Sequence, residues 1–505
     1  MFLAFLYGAA ICLTFIIRRQ WAENERLAFP LATVYQALIE PPAPGNALNS
    51  LFRSTGFWIA FGAVFVAHGI SSLHLYAPSY VPQLSLGYDF SALFAEDPWG
   101  KMEHGVKASR IYFVIIGITF LLQTKVAFSL WFFYLLFNVV KMTGAADYSG
   151  RQQQDQSLGA AFCLILMLLW IGRAHWWLVF RQMFRGERTG EARGGYLSYP
   201  VAGWTLVACY VGMCGWLVTA GMTVLGAAAV SLMLLMFIVL IARIVCETGL
   251  VLVQLPTMMT RPWSYALLLP NTPIYDTPRN VLMSNWMNQL FLHDMRESVM
   301  GYTTTAARTA DVSAYGGTPR RSSGRWFVVA LVLALAAGYV VAGASTLWVE
   351  YRFSSTLNIQ AVEPINPYGY GSTANVTLNP TRSHISPQMP VGESHSQLGH
   401  FSAGVIITGL LSVMRMQFSW WPLHPLGFLV VYTYPLQRIW LSLFIGWLTK
   451  VLIVRFGGAS MIKSAKPVFL GLVFGEVGAA AFWLIISLIM VSMGMEYHKV
   501  SILPE

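Results

Sequence analysis

PVAGWTLVACYVGMCGWLVTAGMTVLGAAAVSLMLLMFIVLIARIVCETGL, residues 200–250, carries no charged side chain until Arg243. The hydrocarbon core of a bilayer is about 30 Å thick and takes about 20 apolar residues of helix to cross. The stretch therefore reads as two spans in succession, 200–220 and 222–246. Inside lipid every backbone polar group needs an internal partner, which leaves helices or closed barrels. Long runs without strand-like alternation exclude the barrel.

Working outward, the same pattern marks spans at 2–17, 56–73, 158–180, 325–348, 425–449 and 467–494. The whole chain supports this reading, with 56% hydrophobic and only 11% charged residues. A soluble domain carries about 25% charged residues. The expectation is an all-α, polytopic transmembrane helical bundle. The net charge of +10 sits in short loops beside apolar runs, as the positive-inside rule places it. That points to a lipid bilayer as partner rather than nucleic acid, and to a multi-pass protein of a bacterial inner (cytoplasmic) membrane.

Two apolar stretches are irregular. Residues 111–140 are long and interrupted by Gln123-Thr124-Lys125, and 401–414 are short. Arginines at 173, 181, 185, 188 and 193, and at 18, 19, 26 and 53, mark two cytoplasmic segments. Asp89, Glu96, Asp97 and Glu103 mark an external one. All basic segments fall on one side only if 111–140 enters and returns. By the same parity 401–414 is re-entrant, because Lys450, Arg455, Lys463 and Lys466 follow 425–449 as a further cytoplasmic group. The organisation expected is N-terminal membrane helices over 1–252, a cytoplasmic loop over 253–322, and C-terminal membrane helices over 323–505. Helical periodicity at Leu282, Trp286, Leu290 and Met295 predicts an interfacial helix in that loop. Residues 350–399, rich in Pro, Gly, Ser and Asn, read as an external loop. A first span with nothing before it suggests more helices upstream in the natural protein or its ancestor.

Ionisable groups inside spans cost about 2.5–3.5 kcal/mol on insertion scales, so each needs a partner or a watery cavity. Gln123 and Lys125 sit at the break of 111–140, where the lysine either contacts substrate or snorkels. Arg243 and Glu247, four apart, share a helix face before Gly249 and form either an ion site or a structural pair. Glu476, nine residues after Pro467, lies about 14 Å into the last span. His424 stands between Pro422 and Pro425, with Arg415 and the interface-type Trp420 and Trp421 before it. These seven groups, Gln123, Lys125, Arg243, Glu247, Arg415, His424 and Glu476, are the candidate substrate or ion pathway.

The five cysteines, Cys12, Cys163, Cys209, Cys214 and Cys246, lie within apolar runs and form no CxxC pair. No HExxH, GxSxG or Gly-rich phosphate loop occurs. The sequence thus offers no metal or cofactor site and no enzymatic constellation.

Four stretches carry a family resemblance: Arg18-Arg-Gln-Trp21 with Glu25-Arg-Leu-Ala-Phe-Pro30, Glu247-Thr-Gly249, Trp420-Trp-Pro-Leu-His-Pro-Leu-Gly427, and Gly457-Gly458 leading to Lys466-Pro-Val-Phe-Leu-Gly-Leu-Val-Phe-Gly-Glu476. The chain resembles, over essentially its whole length, an uncharacterised bacterial membrane family distantly similar to oligopeptide transporters. The resemblance implies a proton-coupled carrier of small peptides or metal chelates. The Asn-Pro-Gly and Lys-Ile-Pro-Pro-Arg signatures of those transporters are missing. The interrupted segments in the two halves also point to a carrier, since broken helices at matching places mark midplane sites. The other reading is a non-catalytic subunit or scaffold of a membrane complex, with a homo-oligomer or fixed partner.

Overall fold

The computed structural model describes residues 1–42, 44–143, 150–185, 196–250, 255, 278–292, 298–313, 321–353, 391–498 and 500–504. Apolar helices dominate. Among the described residues nine are long and apolar enough to cross a membrane, and only a three-residue antiparallel ribbon is strand. The chain is an all-α polytopic bundle.

α1 (Phe2–Arg19) lies antiparallel to α8 (Tyr199–Thr219), with Phe2 against Trp216 at 5.1 Å between centroids. α9 (Val224–Thr248) returns beside them, its N-terminus capped by the Thr223 side chain. Between α1 and α8 come α2 (Pro30–Ile39), α3 (Thr55–Tyr76), the ribbon β1 (Gly87–Asp89) and β2 (Ala108–Arg110), then α4 (Phe113–Leu121), α5 (Thr124–Met142), α6 (Gly150–Ile171) and α7 (Arg173–Arg185). The expected span 158–180 is thus two helices parted at Gly172, because the arginine-bearing α7 is amphipathic rather than uniformly apolar.

The second half holds α10 (Pro278–Phe291), α11 (Val299–Ser313), α12 (Arg321–Phe353), α13 (Val391–Gln417), α14 (Pro425–Val430) and α15 (Tyr434–Ser492). α15 is a hairpin. Ser442 meets Tyr112 and Lys450 meets Leu122, so its first arm, 434–457, runs along α4. Phe469 then stacks on Phe120 at 3.9 Å and Glu476 meets Val114, so the second arm runs back. The reversal falls at Gly458, whose φ of 60° and ψ of −161° interrupt the helix. Lys450, expected among a cytoplasmic basic group, is instead held inside by the Leu122 carbonyl.

Two short helices turn into long ones in opposite senses. α4 runs with the first arm of α15, whereas α5 runs against it: Phe128 meets Trp447 and Tyr134 meets Trp440. The chain therefore turns back at Leu122–Gln123. α14 runs with α5, since Phe133 faces Phe428 and Phe137 faces Tyr432. It then turns at 431–433 into the first arm. At 1.5 Å per residue the nine residues of α4 reach about 14 Å, half a bilayer core.

Two expectations are corrected. The segment 401–414 is not a short re-entrant piece but part of the 27-residue α13, with Leu398–Gln417 long enough to cross; the preceding polar residues simply extend the helix. The short reversing element is the next one, α14. The second correction concerns 253–322. Asn280 binds Thr223 at one end of α9, while Thr303 meets Thr14 at 2.8 Å and Asp311 pairs with Arg18 at 2.6 Å. α11 therefore follows α1 and α9 through the bundle, whereas α10 packs on α9 through Asn280 and leaves Trp286 and Leu290 exposed. Buried Asn280, Ser284 and Thr303 to Thr305 bond to helical carbonyls or neighbouring side chains, which hides this passage from hydropathy. Residues 253–254, 256–277, 293–297 and 314–320 of the expected loop lie outside the described residues, as do 354–390 of the expected external loop.

α6 and α13 approach backbone to backbone. A Cβ on Gly159 would strike the Phe401 carbonyl, and one on Gly404 the Gln156 carbonyl. Small residues at such crossings are what membrane helix packing requires. Gly404→Leu should therefore cost about 1–3 kcal/mol of stability through overpacking. Gly399→Ala, on the same helix with open space around it, should be neutral. Thermal unfolding of the two purified variants against the parent checks this.

Candidate functional site

α9 ends where four chain segments meet. Gly249 adopts φ 62° and its N–H donates to the Val245 carbonyl at 2.8 Å, closing the helix. A side chain there would be strained by the positive φ and would press on Pro30, 2.9 Å from an added Cβ. The partner segment is shaped to fit. α1 passes into a π-turn at Gln20–Asn24, and Arg26 and Phe29 both take positive φ. The Phe29 N–H then donates to the Cys246 carbonyl at 3.0 Å, joining the start of α2 to the end of α9. That bond satisfies one of the carbonyls that a helix end leaves open.

The charges assemble around this junction. Arg243 Nε donates to Glu247 Oε2 at 3.2 Å, and Arg243 Nη1 binds Glu25. Glu25 also accepts from Gln20 Nε2 at 3.0 Å. On the other side, His424 Nε2 stands 3.0 Å and Arg415 Nη2 3.7 Å from Glu247 Oε1. Glu247 is 4% exposed. His424 Nδ1 accepts the Leu426 N–H at 3.2 Å, capping α14. An accepting Nδ1 fixes the neutral ring with its proton on Nε2, facing the carboxylate. Two carboxylates and two guanidiniums then balance, which is what a buried charged cluster demands.

The loop that delivers His424 is fastened to the break between α4 and α5. Lys125 Nζ donates to the Ser419 carbonyl at 2.5 Å. Ser129 Oγ accepts the His424 N–H at 2.6 Å. Lys125 thus positions the loop from its exposed side, and Gln123 is the exposed N-cap of α5 outside the charged cluster.

Of the seven groups expected from sequence, Arg243, Glu247, Arg415 and His424 come together. Glu476 lies elsewhere, beside His68 and Val114. Sequence reasoning missed Glu25 and Gln20, although the mixed charges before the apolar run Leu27–Ile39 were their signal. It also missed His68 and Lys450, for which a lone polar residue in or at the edge of a span was the only trace.

Two cavities flank the cluster. One, about 190 Å³, is bounded by Arg243, Glu247, Arg415 and His424 against Leu164 and Leu240. The other, about 210 Å³, is almost wholly apolar and touches Gln20 and Glu25; the two share Leu168. His175, in the second wall, donates to or accepts from nothing in the charged cluster; its Nε2 bonds the Ile16 carbonyl at 2.7 Å, and burial holds its pKa below the usual value. The arrangement is a polar cleft in apolar walls, able to contact a small ligand through Arg415 and His424.

Removing one member of a buried pair leaves its partner uncompensated. Arg243→Met, which strands Glu25 and Glu247 together, should cost about 3–5 kcal/mol. Arg415→Met, removing a part-exposed group 3.7 Å from its partner, should cost no more than about 1 kcal/mol. Unfolding midpoints of the two variants in the same detergent give the comparison.

Residues 1–499 match DUF6785, a family of unknown function. None of the curated proteins matches the chain.

Proposed function

The chain belongs to the DUF6785 family of unknown function, and we propose that it is a membrane carrier for a small solute, with the Glu247 cluster as its polar centre. One observation carries this reading: the short helices α4 and α14 enter from opposite directions, and the charged cluster sits where α14 starts. Discontinuous helices of opposite sense around a buried polar site are the architecture on which alternating access operates. Arg243, Glu247, Arg415 and His424 would face the solute or its coupling ion, and Lys125 would hold the loop that carries His424. The finer proposal follows the sequence resemblance alone: a proton-coupled carrier of small peptides or metal chelates in a bacterial inner membrane.

A second reading, a non-catalytic subunit of a membrane complex, has one observation on its side. α12 keeps none of its apolar window Trp326–Trp348 buried within the chain. A fixed partner would cover that flank, as would lipid.

Purified protein in liposomes, given an imposed proton gradient and a labelled pool of di- to tetrapeptides and metal chelates, tests the proposal. Gradient-dependent accumulation is expected, lost at least tenfold in Glu247→Gln, a change that keeps the shape but removes the charge balancing Arg243 and Arg415 (about 1.4 kcal/mol or more in the transport barrier). Unchanged uptake in Glu247→Gln would remove the cluster from the pathway. No accumulation from folded protein, with a constant companion on purification, would establish the subunit reading.

A further inference from the structure

A second buried ionisable pair lies apart from the Glu247 cluster. Glu476, 0% exposed on the second arm of α15, faces His68, 1% exposed on α3, with Oε1 and Nε2 3.2 Å apart. The other carboxylate oxygen accepts the Val114 N–H at 2.5 Å, in the first turn of α4. Among the described residues neither ring nitrogen of His68 makes a hydrogen bond, although Nε2 stands 3.2 Å from Oε1. The Phe113 ring stands edge-on to the imidazole at 5.9 Å.

The charge balance here differs from that at Glu247. No guanidinium or ammonium pairs with Glu476 among the described residues. Tyr112, at the start of α4, lies among Glu476, Arg110, Tyr434 and Arg438, and His74, Asp89 and His104 line the adjoining cavity with them. The two arginines are engaged elsewhere, Arg110 with the Ser501 carbonyl and Arg438 with the Tyr434 hydroxyl. A carboxylate beside a neutral imidazole carries a whole negative charge, and here it stands at the N-terminus of α4. Taking up one proton would make the pair neutral, and low polarity favours the neutral state.

A route for that proton adjoins the pair. A polar cavity of about 590 Å³ is walled by Ser72, Asp89, Arg110, Tyr112, Tyr434 and Arg438. Ser72 lies one helical turn from His68, and Tyr112 is two residues from Val114, so the cavity lies about one helical turn from the pair. Asp89, in its wall, has its carboxyl held below the usual range by hydrogen bonds from Ser91, so it stays ionised beside Arg110 and Arg438.

We infer that His68 and Glu476 form a proton-binding site filled from this cavity. A hydronium ion gives its proton to Nδ1 of His68 and leaves as water. The imidazolium keeps its Nε2 proton toward Glu476 and becomes the carboxylate's counter-ion. Glu476 then divides its charge between His68 and Val114, which loosens the cap on α4 while Lys450 still holds the Leu122 carbonyl at the far end. The link from proton to α4 movement rests on the carrier reading; proton binding itself does not.

The test measures proton uptake by the full chain in liposomes on a jump from about pH 8 to about pH 5, the range in which imidazole titrates. Uptake is read with a pH indicator, and infrared difference spectra of the same samples report imidazole and carboxyl groups. The parent should bind about one proton per chain more than His68→Asn, and the part of its imidazole signal that belongs to His68 should be missing in that variant. Glu476→Gln should lower the proton affinity of the imidazole at least tenfold, because the counter-ion is gone. Ser72→Trp should slow uptake severalfold without changing its extent. Equal uptake in the parent and His68→Asn overturns the site, and an unaltered rate in Ser72→Trp overturns the route. If Glu476→Gln does not fold, the shift of the Glu476 carboxylate band in His68→Asn carries the same decision. Solute uptake is not read here, so a silent pair and a failed carrier are separate results.

Discussion

A backbone carbonyl or amide inside a membrane protein needs a partner, and this requirement governs the broken helices on which the rest depends. Both ends of α4 are closed by side chains from elsewhere in the chain. Its first turn is closed by the carboxylate of Glu476 and its last carbonyl by the ammonium of Lys450. Acid at the N-terminus and base at the C-terminus also oppose the helix dipole. Both residues come from α15, one from each arm, so the hairpin turning at Gly458 is what permits a half-length helix to stand there. A break in one segment is stabilised by charges from another far along the chain.

The same logic explains why the end of α9 is so crowded. The helix stops at Gly249, and its Cys246 carbonyl is taken by Phe29. That brings Glu25 to Arg243, and the fastening of the 418–424 loop to Lys125 and Ser129 brings His424 to Glu247. Each contact satisfies a backbone or charged group that would otherwise be stranded. Charge neutrality at Glu247 and its absence at Glu476 then give the two carboxylates different characters. The first is paired with guanidiniums, and the second faces an imidazole whose Nδ1 has no hydrogen-bond partner among the described residues.

The passage of α10 and α11 shows the rule from the other side. Their polar residues are tolerated inside the bundle because Asn280 binds Thr223, and Ser284, Thr304 and Thr305 bond back to their own helices. A segment lined by protein rather than lipid does not need an apolar surface. The bundle therefore contains both uniformly apolar helices and helices whose buried polar groups are met by other protein groups.

Sequence by itself determined the class of the protein. Runs such as 200–246 have no soluble use, and a helix is the structure that buries its own backbone in lipid. It also exposed the groups that break those runs: Arg243 and Glu247 share a face by spacing alone, and His424 is marked by the prolines around it. What it did not contain was which of these meet. Hydropathy counts a residue as polar whether its partner is water or a threonine on another helix, so α11 reads as loop and α10 as an interfacial helix. It gives no sign that Glu25 closes on Arg243 across more than two hundred residues, that Lys450 belongs to the Leu122 carbonyl, or that His68 waits beside Glu476. Those pairings are set by packing, because only in three dimensions does each buried charge and open backbone group find the partner that makes its burial possible.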